Sequence, residues 1–372
     1  MRRLALLGLV STKANMNFPR AAILAVVLCA LGVWVGVRAQ APSKAQRAAS
    51  PRPAPECCGY PFPRSLDAEI ADSDVHRVHY EDEHVMLLEV SNPPLLDVHM
   101  HGHPFISVFA HDSDIGARNP AAPATPPGGS GPMDPKSPYN DMGSGEGPAP
   151  HGMKWPTCTT AAPQAPHRPF NSNLNPNHFF RIEFLRVEGE DFQRHWKEWY
   201  PSMTAPVKPV KDIVRGPAPG PNFSEQWPYP IVYDSIQAAP NNYRLLYENE
   251  KMRLLEVTVR PGETTPMHGH PYPSVLTFNG ISGDPALVTD KKLDPASPLN
   301  GQGAGHGGAP KVHNLKAPTC STMAPQAPHA IRNGGAAPLH YYRIEYKRID
   351  GDGFAANWKK WYPWMLYMPY MR

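Results

Sequence analysis

Two His-x-His pairs are the residues of this chain best suited to chemistry. His101 and His103 form the first pair, and His268 and His270 form the second. On a β-strand, both imidazoles of such a pair point to one face of the sheet, because side chains alternate along the strand. Neutral imidazole is a common ligand of transition metals, so each pair would supply two ligands from one rigid element.

A third histidine follows each pair, within a repeated Ala-Pro-His block. These blocks contain His167 and His329. Three imidazoles on one side of an ion leave other positions open for water, dioxygen or a chelating small molecule. We therefore predict one divalent transition metal at each pair, from among Fe, Zn, Cu, Mn and Ni. The alternative is that the metal has been lost, so that the histidines are hydrogen-bonded or merely line a pocket.

Other histidines are candidates for a supporting role. His99 lies two residues before His101 on the same strand face and is a candidate extra ligand, whereas the second copy has Pro266 there. His178 and His340 fall on the apolar faces of their strands, which we expect to point inward. They are candidate catalytic residues, either as fourth ligands or as proton carriers. The alternative for both is a strand-end histidine that faces solvent.

The elements that position these histidines occur twice. Residues 73–204 (unit 1) and 238–365 (unit 2) match in order through at least six blocks, including Met-His-Gly-His-Pro at 100–104 and 267–271. The chain is therefore a tandem duplication. Residues 340–346, His-Tyr-Tyr-Arg-Ile-Glu-Tyr, alternate between two faces as a half-buried strand does. The chain has 47 prolines, which exclude long helical bundles, so each unit is predicted to be mainly β.

The connecting segments carry weaker signals. Each unit ends in aromatic residues spaced i, i+4 and i+7, which predicts a short helix packed against the β domain rather than a ligand-stacking platform. These aromatic residues are Phe192, Trp196 and Trp199 in unit 1, and Phe354, Trp358 and Trp361 in unit 2. Segments 111–156 and 279–317 are rich in proline and glycine and are predicted to be long loops.

Both units resemble the cupin superfamily. Residues 260–280, with a Pro-Gly turn before His-x-His and a closing glycine, resemble the first cupin motif, while 327–333 and 165–171 resemble the second. The resemblance implies two tandem jelly-roll barrels, a bicupin. It departs from the family pattern at the glutamate that usually follows His-x-His, because Ser107 and Ser274 lie near its place. Each site would therefore have three neutral nitrogen ligands.

The N-terminus indicates export. Basic residues precede an apolar run at 21–37, and small residues precede a cleavage point after Ala39, which predicts a signal peptide and a secreted or periplasmic protein. An uncleaved membrane anchor is the alternative. Residues 1–40 hold five Lys/Arg and no Asp/Glu, so 31 basic residues remain against 33 acidic ones. This balance excludes a basic nucleic-acid surface.

The predicted layout has six segments. These are a signal peptide (1–39), an N-terminal lead (40–72), the first cupin domain (73–204), a linker (205–237), the second cupin domain (238–365) and a tail (366–372). An oxidising compartment permits disulfides. The four mature cysteines are the adjacent Cys57 and Cys58, then Cys158 and Cys320, and one bridge from the adjacent pair to each of the other two is compatible with the sequence. Four cysteines allow three connectivities, among which the sequence does not choose, and unpaired thiols are the alternative.

These features favour a metal-dependent oxidoreductase, similar to a dioxygenase, that acts on a small molecule. Decarboxylases with two cupin domains usually retain the missing glutamate. A non-catalytic binding or structural bicupin, as in seed storage proteins, is the main alternative. A sugar isomerase or epimerase that uses His178 or His340 as its base is a weaker one. The expected partner is a small-molecule ligand, with no nucleic acid and no membrane after signal cleavage. A homo-oligomer is compatible with the sequence.

Overall fold

The computed structural model describes residues 59–125, 131–140, 146–150, 153–207, 227–281, 287–301 and 303–368. The predicted signal peptide, Cys57 and Cys58 lie outside these ranges. Nearly all regular structure within them is antiparallel β-sheet, which confirms the all-β prediction. None of the described helices combines the length and apolar composition needed to cross a bilayer.

Unit 1 and the lead before it have nine strands and two short α-helices in their described part. They are α1 (Ala68–Ala71), β1 (His76–Glu81), β2 (Val85–Asn92), β3 (His101–His103), β4 (Ile106–His111), β5 (Gly131–Pro132), β6 (Glu146–Gly147), β7 (Thr157–Ala161), β8 (Gln164–Arg168), β9 (Asn177–Phe184) and α2 (Phe192–Trp199). Short 3-10 helices lie at Arg64–Leu66 and Pro201–Thr204.

Unit 2 and the end of the linker before it repeat this order of elements. They are α3 (Ser235–Ala238), β10 (Tyr243–Glu248), β11 (Met252–Val259), β12 (His268–His270), β13 (Ser274–Phe278), β14 (Leu287–Lys292), β15 (Gly303–Gly307), β16 (Thr319–Met323), β17 (Gln326–Asn333), β18 (Leu339–Tyr346) and α4 (Phe354–Trp361). Its 3-10 helices are Ile231–Tyr233, Val312–Asn314 and Pro363–Leu366.

Each unit folds its strands into one large and one small sheet. The large sheet of unit 1 has the order β1-β2-β9-β4-β7-β6, and the small sheet has the order β3-β8-β5. Unit 2 has the same two orders, β10-β11-β18-β13-β16-β15 and β12-β17-β14. Because non-consecutive antiparallel strands are neighbours in both sheets, each unit has the crossover connections of a jelly-roll barrel, as predicted.

The large sheets are buried on both faces. On β9, Phe180 and Ile182 join one apolar cluster with Leu254 and Ile344 of unit 2, so this face packs against the other unit. The opposite face of β9 lines the interior of the barrel. Each fully buried aliphatic or aromatic side chain contributes roughly 1.5–3 kcal/mol relative to its exposed state, so this inter-unit face stabilises both barrels.

The closing helices form over the predicted residues, but each covers the barrel of the other unit. Phe354, the first residue of α4, and Tyr362, the residue after its end, belong to a buried cluster with Val75 and Leu88 of unit 1. In the reverse direction, Phe192 of α2 packs against the backbone of unit 2 at Gly280. A Cβ added to that glycine would lie only 2.7 Å from the Phe192 ring.

The expectation of long loops in the connecting segments needs correction. The stretches predicted to be long loops contain short strands that extend the sheets, β5 and β6 in unit 1 and β14 and β15 in unit 2. Parts of the lead and linker also pack onto the barrels. The Tyr60 hydroxyl donates to the backbone oxygen of Gln164, and the Trp227 indole donates to that of Gln326, both at 3.0 Å.

A disulfide joins Cys158 on β7 to Cys320 on β16. It connects the two units covalently through strands that already face one another. It excludes the bridges considered from Cys57 and Cys58 to these two cysteines, because each sulfur forms only one disulfide bond.

Candidate metal centre

The small sheet of each barrel presents the three predicted histidines to one another. In unit 1, β3 carries His101 and His103, and His101 is the direct antiparallel partner of His167 on β8. The ring centroid of His101 lies 5.2 Å from that of His103 and 4.8 Å from that of His167. The strand alternation that predicted a shared face therefore brings these three rings together.

Unit 2 reproduces this arrangement closely. His268 on β12 pairs with His329 on β17. The His268 ring lies 5.3 Å from His270 and 4.8 Å from His329. Ligand nitrogens of these three residues lie within 4.8 Å of one another, as expected of groups that can bind a single ion.

Hydrogen bonds fix which ring nitrogen is available. In unit 1, Nδ1 of His101 bonds to the His99 backbone oxygen at 2.8 Å, and Nδ1 of His167 bonds to that of Ala165 at 2.7 Å. Nδ1 of His103 bonds to Glu183 Oε1 at 2.9 Å. An imidazole that donates from Nδ1 keeps its Nε2 lone pair for a metal.

The same pattern holds in unit 2. Nδ1 of His268 bonds to Pro266 and Nδ1 of His329 bonds to Ala327, both at 2.8 Å and both to backbone oxygens. His270 bonds to Glu345 at 2.9 Å. Nε2 of His268 is buried and has no hydrogen-bond partner among the described residues, so its lone pair is available to a metal ion. This donor set fits a transition metal.

Burial keeps these imidazoles neutral. Desolvation lowers the pKa of all six histidines, and it lowers that of His101, His103, His268 and His270 well below the ordinary value. The neutral form is the form that binds a metal. The clusters therefore hold ligand-competent imidazoles at neutral pH.

Sequence reasoning missed a fourth imidazole in unit 1. His76, at the start of β1, has its ring 4.4 Å from His101 and 5.2 Å from His103. Its ligand nitrogen lies within 4.8 Å of those of His101 and His103, and this group of mutually close nitrogens does not include the predicted ligand His167. Burial lowers the pKa of His76 to about 3. The available signal was a contrast between the repeats, because Tyr243 occupies the same position in unit 2.

The carboxylates that orient His103 and His270 were also missed. Ser107, near the place of the absent family glutamate, is the cross-strand partner of Glu183 on β9. Glu183 is buried and bonds to Nδ1 of His103. This carboxylate therefore supports the His103 ring from behind and is not one of the groups that would bind the metal. Glu345 does the same for His270. Such carboxylate–histidine pairs fix ring orientation and raise ligand basicity.

Three other candidate residues lie apart from the clusters. The His99 side chain is about half exposed, and its Nδ1 lies 3.2 Å from Asp72 rather than facing the other rings. His178 bonds to Glu89 at 3.1 Å and contacts the Tyr362 ring at 4.4 Å. His340 bonds to Glu256 at 3.1 Å.

The expected inward direction of His178 and His340 needs correction. Both are on the face of the large sheet that packs against the other unit, beneath its helix. His178 contacts Phe354 of α4, and His340 contacts Phe192 of α2. We expect the apolar face of these strands to line the barrel interior, but in the structure the other barrel covers that face instead. The geometry gives no support to a catalytic role for either histidine.

The cavities beside the two clusters differ in size. The unit 1 cavity has a volume of about 540 Å³ and is lined by all four histidines together with Phe109 and other side chains. The unit 2 cavity has only about 170 Å³.

Larger side chains account for the smaller unit 2 cavity. Tyr243 replaces His76, Tyr341 replaces Phe179, and Met323 replaces the alanine at the end of β7. All three replacements line the unit 2 cavity.

No family model matches the sequence, and no curated protein is significantly similar to it. Among solved structures, the chain is similar to a cupin domain from Bordetella pertussis at 17% identity, covering 28% of this chain and 92% of that chain, with a TM-score of 0.19. Salicylate 1,2-dioxygenase adducts with gentisate from Pseudoaminobacter salicylatoxidans show 9% identity, coverages of 91% and 93%, and a TM-score of 0.19. An oxalate decarboxylase formate complex from Lactobacillus farciminis shows 13% identity, coverages of 74% and 81%, and a TM-score of 0.16.

Proposed function

We propose that this bicupin is an exported, metal-dependent oxidoreductase of the dioxygenase type, and that its small-molecule substrate binds in the unit 1 barrel. The observation that carries the proposal is the orientation of the histidines. In each unit three Nδ1 atoms are committed to backbone or carboxylate acceptors, which leaves the opposite nitrogens free for a metal. Three ligand nitrogens per unit lie within 4.8 Å of one another, those of His76, His101 and His103 and those of His268, His270 and His329. Imidazoles held only by packing would not need this uniform arrangement.

The chain's own residues would prepare the reaction site. His76, His101, His103 and His167 would hold the ion, and Glu183 would keep the His103 ring in place. When bound, the ion supplies a Lewis acid and, if it is redox active, a path for electrons. The apolar walls around the histidines would exclude bulk water and so strengthen electrostatic interactions within the cavity.

Unit 2 fits a structural or regulatory metal site better than a reaction chamber. Its three histidines are arranged as in unit 1, but Tyr243, Met323 and Tyr341 occupy much of the space beside them. The non-catalytic alternative for the whole chain is a binding or structural protein, which would turn over no substrate and need not hold metal at either site. The isomerase alternative lacks support, because both of its proposed bases lie outside the cavities.

Metal content of the purified mature protein tests the proposal. Elemental mass spectrometry after reconstitution should find two ions per wild-type chain. We expect one ion in His101→Ala and one in His268→Ala, with the circular dichroism spectrum unchanged. Oxygen consumption with candidate substrates should be lost in His101→Ala and retained in His268→Ala. Absence of metal from the reconstituted wild type would defeat the proposal and leave a binding or structural protein.

Export remains part of the proposal. A disulfide between Cys158 and Cys320 is suited to an oxidising compartment. The N-terminal residue of the mature protein, determined by mass spectrometry, would test cleavage after Ala39. A mature chain that retains residues 1–39 would contradict it.

A further inference from the structure

A buried arginine lies in the wall of the unit 1 cavity beside the histidine cluster. Arg181, on β9, is only 2% exposed, yet it lines the cavity together with His101 and His103. Its guanidinium carbon lies 4.6 Å from the centre of the Phe109 ring. An arginine in this position brings a permanent positive charge into an otherwise largely apolar chamber.

Arg181 is paired with one buried carboxylate but keeps a hydrogen-bond donor without an acceptor among the described residues. Its Nε lies 3.1 Å from Glu183 Oε1, the same oxygen that receives the hydrogen bond of His103. In the part of the chain that the structure describes, no group accepts a hydrogen bond from its buried Nη2. A buried charge with an unmet donor is costly, and an anion that enters the cavity would remove that cost.

The other arginine in the cavity wall is already occupied. Arg168 forms an ion pair with Asp97 at 2.9 Å and donates to the Val98 backbone oxygen at 3.1 Å. Arg181 is therefore the better candidate for an incoming anion.

Unit 2 provides an internal comparison. Arg343, the counterpart of Arg181, also has a buried Nη2 without an acceptor among the described residues. Its Nη1, however, donates to Gln326 Oε1 at 3.0 Å, and the Tyr341 hydroxyl interacts with the guanidinium. Phe179 replaces Tyr341 in unit 1 and offers no hydroxyl. The larger cavity and this lost hydroxyl leave Arg181 more available than Arg343.

We propose that Arg181 anchors the carboxylate of the substrate in the unit 1 cavity, and that this substrate is a small carboxylate with an apolar body. The proposal rests on the function proposed above and names the substrate class of that site. A planar guanidinium binds a carboxylate through two parallel hydrogen bonds. The Phe109 and Phe179 rings, 5.0 Å apart and both in the cavity wall, would contact the apolar part.

Calorimetric titration of the zinc-loaded full-length mature protein tests this assignment, because zinc supports no redox turnover. Benzoate is the probe and benzamide is its neutral counterpart. We expect one benzoate site per chain and binding of benzamide that is weaker by about tenfold or more, since a charge-assisted hydrogen bond contributes about 1.5–3 kcal/mol. Equal affinity for benzamide, or displacement of benzoate by inorganic phosphate at equal concentration, would overturn the proposal.

Variants separate the anchor from its counterpart in unit 2. Arg181→Met should weaken benzoate binding by about tenfold or more, whereas Arg343→Met should leave it within about twofold. Phe179→Tyr, which places a hydroxyl beside Arg181 as in unit 2, should also weaken it and keeps the test valid if Arg181→Met does not fold. Unchanged benzoate affinity in Phe179→Tyr or in a folded Arg181→Met would overturn the proposal.

Zinc content measured on the same samples distinguishes two kinds of failure. Full zinc occupancy without benzoate binding would remove the carboxylate anchor and leave the metal centre intact. Lack of zinc in the wild type would instead defeat the underlying function.

Discussion

His76 and Tyr243 occupy equivalent positions in the two units but offer different atoms to the same kind of site. Each begins the first strand of its large sheet and pairs with a valine of the next strand, Val90 or Val257. The His76 ring lies 4.4 Å from His101, and the Tyr243 ring lies 4.6 Å from its counterpart His268. One position thus adds a fourth imidazole to unit 1 and a phenol to unit 2.

Substitution His76→Tyr should remove one nitrogen ligand from unit 1. Both proteins compared carry His268→Ala, which disables the unit 2 site. Electron paramagnetic resonance of bound Cu²⁺ should show hyperfine coupling to one nitrogen fewer in the variant with His76→Tyr than in the parent that keeps His76. Metal affinity should also fall, because a ligand is lost from a buried site. Identical spectra for the two proteins would mean that His76 packs beside the ion without binding it.

Substitution Glu183→Gln should weaken metal binding without removing a ligand. The Glu183 carboxylate holds the His103 ring through a 2.9 Å hydrogen bond. Loss of such an orienting partner costs about 10–100-fold in metal affinity. Competition with a chelator would measure the effect. Glu345→Gln is the matched variant, and it should weaken only the unit 2 site. A change below twofold in both would show that the backbone alone orients these rings.

Substitution Ala161→Met should separate metal binding from ligand binding in unit 1. Ala161 is the counterpart of Met323, whose side chain lines the smaller unit 2 cavity. The added methionine should reduce the 540 Å³ cavity and abolish binding of a small carboxylate, while two ions per chain are retained. Calorimetry and elemental analysis on the same sample would measure both. Undiminished ligand binding would place the ligand elsewhere.

Stability should decrease on the alkaline side because of His178. Burial by itself lowers the pKa of His178, but Asp112 and Glu89 outweigh it and raise the pKa to about 9. Because the folded pKa exceeds the unfolded value of 6.5, the ion pair stabilises fully below pH 6.5 and is lost as pH rises through about 9. The shift in the pKa of His178 corresponds to about 3 kcal/mol of unfolding free energy at most.

Urea unfolding at several pH values from 6 to 10 would measure this decline. The His178→Gln variant should be less stable below pH 6.5 and should show a flatter dependence. The exposed His195→Gln variant should behave as the wild type. A wild-type profile that stays level through pH 9 would contradict the assigned role.

The three-histidine sets could be predicted because they depend on local geometry. His101 and His103 share a face whenever their segment is a strand, and the repeated blocks indicate where the third ring comes from. His76 could not be found in this way, since it lies 25 residues before His101 and belongs to no motif. Only its replacement by Tyr243 in an otherwise similar strand marks the position as different.

The direction of the strand faces could not be predicted from alternation. The pattern around His340 correctly separates Tyr342 and Ile344 from Tyr341 and Arg343. It does not indicate which set faces the barrel interior, because a second barrel can cover an apolar face as well as an interior can. In this chain the charged face lines the cavity, and the apolar face lies between the units.

The exchanged helices have a consequence for the history of the duplication. Since α4 completes the core of unit 1 and α2 packs onto unit 2, deletion of either copy would strip the survivor of its covering. Each half therefore depends on the other for a covered core. Selection for the folding of one unit would maintain the other as well, whatever its own site binds.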